Sequence, residues 1–262
     1  MSDDKSKNLY DQRNIDTLEL VYGRGYLSAG GDEEVARVLA EFDLNGRRIL
    51  DLGCGLGGAS VCMTRDLGAP DVVGFDIDEV VLERARLLVE ENHVEDRVRL
   101  IHGEPGPLQF PDESFDIVYM TAVACHMNEL EEFFRGIVRV IRPGGWLLGS
   151  DWILREKNQA FHDWDKLLRE RGLNFYFVDQ SDFSTALKSA GLEQIRFNDR
   201  TRAFTDFSAV SSERVATELK PGLLSSLGEE GYQDIKDWTD VRYAGLNQGG
   251  MLYQQFYAQK GE

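Results

Sequence analysis

Cysteine is scarce in this chain: three residues in 262, Cys54, Cys62 and Cys125, with no CxxC pair among them. Three thiols cannot all pair with one another and their spacing does not suit structural zinc, so a reduced compartment is expected. Histidine is equally sparse. His93, His102, His126 and His162 show no paired metal-ligand spacing, and metal catalysis is not expected. No apolar run reaches the length of about 18 residues that a membrane-spanning helix needs. The opening MSDDKSKNLYDQ is polar and lacks the apolar core of a secretory signal, which makes the cytoplasm the expected compartment. Basic residues are outnumbered: 29 Lys and Arg against 46 Asp and Glu leave a formal charge of −17. That sign disfavours nucleic acids and anionic membranes as partners and serves solubility. Repeats and low-complexity tracts are missing too.

What the sequence does contain is a regular alternation of short apolar runs with amphipathic stretches. Strands are expected at Arg47–Leu52, Asp71–Phe75, Val98–His102, Phe115–Thr121 and Trp146–Trp152. The helices between them are expected at Ala59–Leu67, at Glu79–Asn92 with Asp78 as its cap, and at Glu129–Ile141. That last helix should stop at Arg142-Pro143-Gly144-Gly145. Asp32 resembles an N-cap for a helix over Glu33–Phe42, and an amphipathic helix is expected over Asn8–Tyr22. After Asp151 the rhythm changes. Helices are expected at Glu156–Arg171 and Ser181–Ala190 and across most of Thr205–Tyr243, with breaks at Pro221-Gly222 and Gly228; strands are expected at Glu193–Asn198 and Met251–Gln259. The pattern predicts an α/β fold with a doubly wound, mostly parallel sheet of seven strands, and ligands beyond the strands' carboxyl ends. Residues 1–31 read as an N-terminal lid, 32–155 as the binding core, and 156–262 as cap helices and closing strands of the same domain.

The segment RRILDLGCGLGGASV ends an apolar run in an aspartate and then places four glycines within six residues. Gly53, Gly55 and Gly58 satisfy G-x-G-x-x-G, and Asp76 follows by about 20 residues, the spacing of a ribose-binding acid. Alone, that pattern suits a dinucleotide as well as several other ligands. Asp51 discriminates, because its charge would repel a pyrophosphate and attract an ammonium or sulfonium.

ILDLGCGLGG with GFDID, FDIVYMT and RPGGWLLGSDW resembles the ordered motifs of class I S-adenosylmethionine-dependent methyltransferases over about residues 28–152. The resemblance implies a Rossmann-like methyltransferase fold and S-adenosylmethionine as cofactor. It assigns Asp51 and the backbone of Gly53, Cys54 and Gly55 to the methionine moiety. Asp76 would take the ribose hydroxyls, Ile77 the adenine face and Glu104 the adenine amine, with Thr121 joining the set.

VYGRGYLSAGG, SDWILREKN and QQFYAQK are similar to segments of phosphoethanolamine N-methyltransferases, and the chain also resembles small-amine enzymes of the sarcosine and dimethylglycine type. That likeness implies a catalytic pair, Tyr10 and His126, and places Ser28 at the cofactor's methionine end. Tyr22, Tyr26, Trp152, Arg171, Tyr176 and Arg242 are the implied acceptor-binding residues. The chain departs from the phosphobase pattern at Ala122, where that family has an aspartate, and at Leu167, Leu173 and Trp152, where it has tyrosines. Cationic anchors are kept while hydroxyl donors are lost. A small amine is therefore the expected partner, phosphoethanolamine-like or glycine-, sarcosine- or dimethylglycine-like, because arginine forks suit carboxylates and phosphates alike. Trp152, Trp164, Phe175 and Tyr176 could face a methylated ammonium or pack as core. A methyltransferase acting on carbon or oxygen and a non-catalytic cofactor-binding protein remain alternatives. Oligomeric state is left open, a homodimer included.

Overall fold

In the computed structural model, which describes residues 12–262, the apolar runs pair into one seven-stranded sheet. The strands are β1 (Arg48–Leu52), β2 (Asp71–Asp76), β3 (Val98–His102), β4 (Phe115–Thr121), β5 (Ile141–Leu154), β6 (Leu192–Asp199) and β7 (Met251–Lys260). Their order across the sheet is β3-β2-β1-β4-β5-β7-β6. β1 runs parallel to β2 and β4, β2 to β3, and β4 to β5, whereas β7 is antiparallel to both of its neighbours. The doubly wound, mostly parallel arrangement expected from the alternation is the one observed. Chain order reverses between β1 and β4, and in such sheets the crevice outside those strand ends receives the ligand.

Helices α1 (Gln12–Tyr22), α2 (Gly31–Leu39), α3 (Gly58–Arg65), α4 (Glu79–Glu91), α5 (Leu130–Val140), α6 (Gln159–Glu170), α7 (Gln180–Ser189), α8 (Thr201–Ala216) and α9 (Lys220–Asn247) complete the described chain. Successive strand residues point to opposite faces, so neighbours such as Ile49 and Leu50 serve different cores. Leu50, Val73, Val118 and Met120 pack with Phe134, Ile137 and Phe183. Ile49, Val72, Ile117 and Tyr119 pack with Val35, Val38 and Leu88 on the other side. A third cluster joins Trp152 and Tyr253 on the sheet to Trp164, Phe161 and Leu168 of α6 and Leu246 of α9. None of the helices among the described residues is long and apolar enough to cross a membrane.

Three local expectations change. α5 runs directly into β5, and Arg142-Pro143-Gly144-Gly145 lies inside that strand. Between the pairs Phe115↔Ile141 and Ile117↔Trp146 the register shifts, and a bulge is where proline costs a strand no ladder bond. Asp32 does not cap α2, whose cap position is Gly30. It is the second residue of the helix, and its carboxylate accepts the Tyr26 hydroxyl at 2.5 Å and pairs with Arg65 at 2.8 Å. The helical break near Pro221 falls before it, since proline is tolerated in the first turn of α9.

The segment between α1 and α2 is fastened across the start of α3. Gly58 N donates to Gly25 O at 3.1 Å, supplying the partner that a first-turn amide lacks within its own helix. Glu19 accepts the Gly25 amide at 2.7 Å, and Arg24 Nη2 meets both Glu91 oxygens at 2.9 Å. Gly58 is required by close approach: a Cβ there would stand 2.5 Å from Gly25 O and 2.8 Å from the Tyr26 ring. Gly58→Ala should therefore cost roughly 1–3 kcal/mol through overpacking and loosen residues 23–30. Thermal melting and limited proteolysis read the two effects; a variant equal to wild type in both would show that the fastening carries no energy.

Candidate active site

The glycine loop begins where β1 ends. Asp51 is 2% exposed, and its Oδ2 accepts the Ser60 hydroxyl of α3 at 2.6 Å. Gly53 N and Cys54 N both donate to Phe75 O, at 2.8 and 3.0 Å, which ties the loop to β2. Gly53 adopts φ +70, and a side chain there would meet Val123 Cγ2 at 2.6 Å; both the left-handed backbone and the close approach call for glycine. The Cys54 side chain is buried, so only its backbone can face a ligand. Asp76 ends β2 with Oδ2 accepting Gly55 N at 2.8 Å and Oδ1 accepting Asp78 N at 3.0 Å. Beside it Ile77 is 51% exposed, an apolar side chain left open at the strand ends. Glu104 is exposed just past β3, and Ser28 is half-buried in the fastened segment.

Burial disfavours a charged carboxylate. Asp51 is pushed up to about 7, chiefly by burial, with the nearby Asp76 charge adding and the Ser60 hydroxyl opposing. Asp76 is raised as well, again by burial, against the amides of Gly55, Asp78 and Ile77. Two acids this close, without an arginine or lysine partner among the described residues, form a site that is short of positive charge.

β4 ends at Thr121, whose hydroxyl donates to the buried Tyr119 hydroxyl at 2.8 Å. Ala122 follows with φ +54, a left-handed conformation costing an ordinary residue roughly 1–2 kcal/mol. It is held there by Ala122 N donating to Ser150 O at 2.9 Å. A 3₁₀ turn, Ala124–His126, comes next. Its amides are gathered by Asp151 on β5, which is wholly buried: Oδ2 accepts Val123 N at 3.1 Å and Ala124 N at 2.8 Å, and Oδ1 accepts Trp152 N at 2.8 Å. Burial raises Asp151 to about 6 even against those bonds. His126 rides on this turn with its ring edge-on to Phe175 at 4.4 Å. Burial lowers its basicity below that of an exposed histidine and so favours the neutral imidazole.

The residues implied for the acceptor separate into three settings. Tyr22 and Arg242 meet: Arg242 Nη1 donates to the Tyr22 hydroxyl at 2.6 Å and the guanidinium lies over the Tyr22 ring at 4.6 Å. Trp238 Nε1 donates to the same hydroxyl at 2.8 Å. Arg171 stacks on the Trp238 ring at 4.8 Å and is neutralised by Asp234 at 2.8 Å. Trp152 packs edge-on against Trp164 and Tyr253, at 4.8 and 4.7 Å, as part of the third core. Tyr26 turns its hydroxyl to Asp32, and Tyr176 is exposed with its amide on Cys125 O at 2.7 Å. Tyr10 lies outside the described residues.

Sequence reading missed Asp151, Ser60, Trp238 and Asp234. An acid inside the otherwise apolar run LLGSDWIL was a visible signal for Asp151. The others depend on contacts between distant segments.

Residues 50–149 match the family described as "Methyltransferase domain". Among curated relatives, phosphoethanolamine N-methyltransferase 3 of Arabidopsis thaliana is 28% identical over 227 residues, covering 86% of this chain and 45% of the relative. The chain thus spans less than half the length of that relative. Sterol 24-C-methyltransferases are also among the relatives. Phosphoethanolamine N-methyltransferase 2 of Haemonchus contortus, solved with phosphomonomethylethanolamine and S-adenosylhomocysteine, superposes with a TM-score of 0.87 at 21% identity, covering 98% of this chain and 60% of that one. A protein from Galdieria sulphuraria assigned as a sarcosine dimethylglycine methyltransferase gives 0.81 at 17% identity, covering 97% and 98%. Residues 50–149 are therefore similar to a methyltransferase domain, and the chain shares the Rossmann-like fold of these methyltransferase structures.

Proposed function

We propose that this protein transfers a methyl group from S-adenosylmethionine to the nitrogen of a small amine that also carries an anionic group, of the phosphoethanolamine or of the glycine, sarcosine and dimethylglycine kind. The observation that carries the amine reading is His126, a half-buried imidazole on the turn after β4, edge-on to the Phe175 ring.

The residues at the strand ends fit the cofactor. Asp51 and Asp76 supply the negative charge that a cationic amino acid end and a ribose diol would satisfy, and Ile77 offers an apolar face for adenine. When bound, S-adenosylmethionine supplies an electrophilic methyl. Ser28, Gly53, Cys54, Gly55, Glu104 and Thr121 line the same crevice in this reading. His126 accepts the proton released from the amine, directly or through the Tyr10 hydroxyl. Residues 1–31 act as the lid, 32–155 hold the cofactor and 156–262 cap the acceptor. Covering the site in this way excludes water and aligns the nucleophile.

Asp51 ties cofactor binding to pH. With a folded value of about 7 against about 3.9 for an exposed aspartate, it holds a proton in the folded chain that the unfolded chain has already released. Its contribution to stability therefore falls as pH rises from about 4 to 7, by on the order of 4 kcal/mol at the outside. In the ligand-free protein, Asp51→Asn should melt close to wild type near pH 4 and increasingly above it towards about pH 7.5. A bound cation favours the ionised carboxylate, so wild-type affinity for S-adenosylmethionine should rise from about pH 5.5 to 7.5 and that of Asp51→Asn should stay flat and weaker. Melting differences or affinities indifferent to pH would refute the assignment.

Asp76→Ala should weaken cofactor binding about 100-fold by calorimetry through loss of two charged hydrogen bonds; unchanged binding would sink the ribose assignment. His126→Ala should lower turnover by about 100-fold or more while cofactor affinity barely moves. Wild-type turnover in that variant would remove His126 from the chemistry. An acceptor panel of glycine, sarcosine, dimethylglycine, phosphoethanolamine and apolar non-amine controls tests the reaction itself. Methylation of carbon or oxygen in the controls, or cofactor binding with no turnover, would overturn the amine reading.

A further inference from the structure

Arg242 is 3% exposed and has no acidic partner among the described residues. Its hydrogen bonding is one-sided. Nη1 donates to the Tyr22 hydroxyl, while Nε and Nη2 are buried without any partner. Those two nitrogens share one edge of the guanidinium plane and project their N–H bonds in parallel, the geometry that grips two oxygens of one anion. A buried charge with two orphan donors is costly unless something occupies that edge.

The charges around this edge limit what the anion can be. Arg171, linked to Arg242 through Trp238 and Tyr22, already has its charge matched by Asp234. It retains one buried donor, Nε, without a partner. The Trp238 N–H is spent on the Tyr22 hydroxyl, and that hydroxyl faces two donors. Two arginines and one aspartate leave a single positive charge. A carboxylate brings one negative charge and two coplanar oxygens, which matches both the charge and the free edge. A phosphate monoester brings about −1.5 to −2 near neutrality and a third oxygen, more negative charge than the single positive charge matches.

We infer that the anion subsite of the cap is built on the Nε–Nη2 edge of Arg242 for a carboxylate, so that the acceptor is an amino acid amine rather than a phosphate ester of an amino alcohol. This rests on the N-methyltransferase reading above and selects between its two acceptor classes.

Sarcosine and phosphomonomethylethanolamine both carry an N-methyl secondary amine and differ in the anion and in the length of the spacer that holds it. Calorimetric titration of each into the full chain with S-adenosylhomocysteine compares the anions without needing turnover. Sarcosine should bind at least about tenfold more tightly. Equal or tighter binding of the phosphate ester, or no binding of either, overturns the inference; methylation of the phosphate ester would still uphold the N-methyltransferase reading. Tight sarcosine binding with no methyl transfer would uphold the subsite and defeat that reading. Arg242→Lys keeps the charge and loses the fork, so sarcosine affinity should fall about 30-fold while S-adenosylhomocysteine affinity stays within about twofold. Unchanged sarcosine affinity counts against the inference. The Asp234 side chain is 50% exposed, so Asp234→Asn should leave the fold intact and free the Arg171 charge. The phosphate ester should then gain about tenfold relative to sarcosine, and an unmoved preference would contradict the charge count.

Discussion

Asp51 sits almost wholly buried at the end of β1 with the Ser60 hydroxyl as its side-chain partner and the charge of Asp76 nearby. Moving a carboxylate out of water is unfavourable unless positive charge or enough donors replace it. Here the donors are too few, and the deficit lies at the point where chain order reverses in the sheet. On the cap side the imbalance has the opposite sign, since Arg242 is equally buried and offers an empty donor edge. The acids at the strand ends lack positive partners and the guanidinium on α9 lacks a negative one, so each leaves a charge for a ligand to match.

The turn that carries His126 follows β4. Its position is over-determined by Asp151, which collects amides from Val123, Ala124 and Trp152, and by Ala122, held at φ +54 against its own preference. Strain of this kind persists when the surroundings fix it, and it concentrates at functional sites. Asp151 acts through the backbone: by holding the Val123 and Ala124 amides it fixes the course of the turn on which His126 stands.

Local signals carried most of the architecture. Asp78 caps α4 by accepting Val80 N two residues away, a bond that sequence distance alone makes available. β4 begins and ends where its apolar run does, because a central strand buried on both faces must be mostly apolar. Where reading failed, a nonlocal partner decided. α5 stops just before the proline and paired glycines, as expected, yet pairing with β4 draws those residues into a bulge of β5 where a loop was expected. Asp32 looked like a cap, yet Tyr26 and Arg65 claimed its carboxylate.

The sequence by itself determined the sheet, the glycine loop and the acids that follow it, since each is encoded within about 25 residues by spacing and periodicity. Only the tertiary structure decided which of two similar arginines is available. Arg171 and Arg242 read alike in one dimension, but Arg171 finds Asp234 and Arg242 finds the Tyr22 hydroxyl. Tyr22 and Arg242 lie on helices at opposite ends of the described chain. Charge compensation is a property of what surrounds a residue in space, and no pattern along the chain reports it.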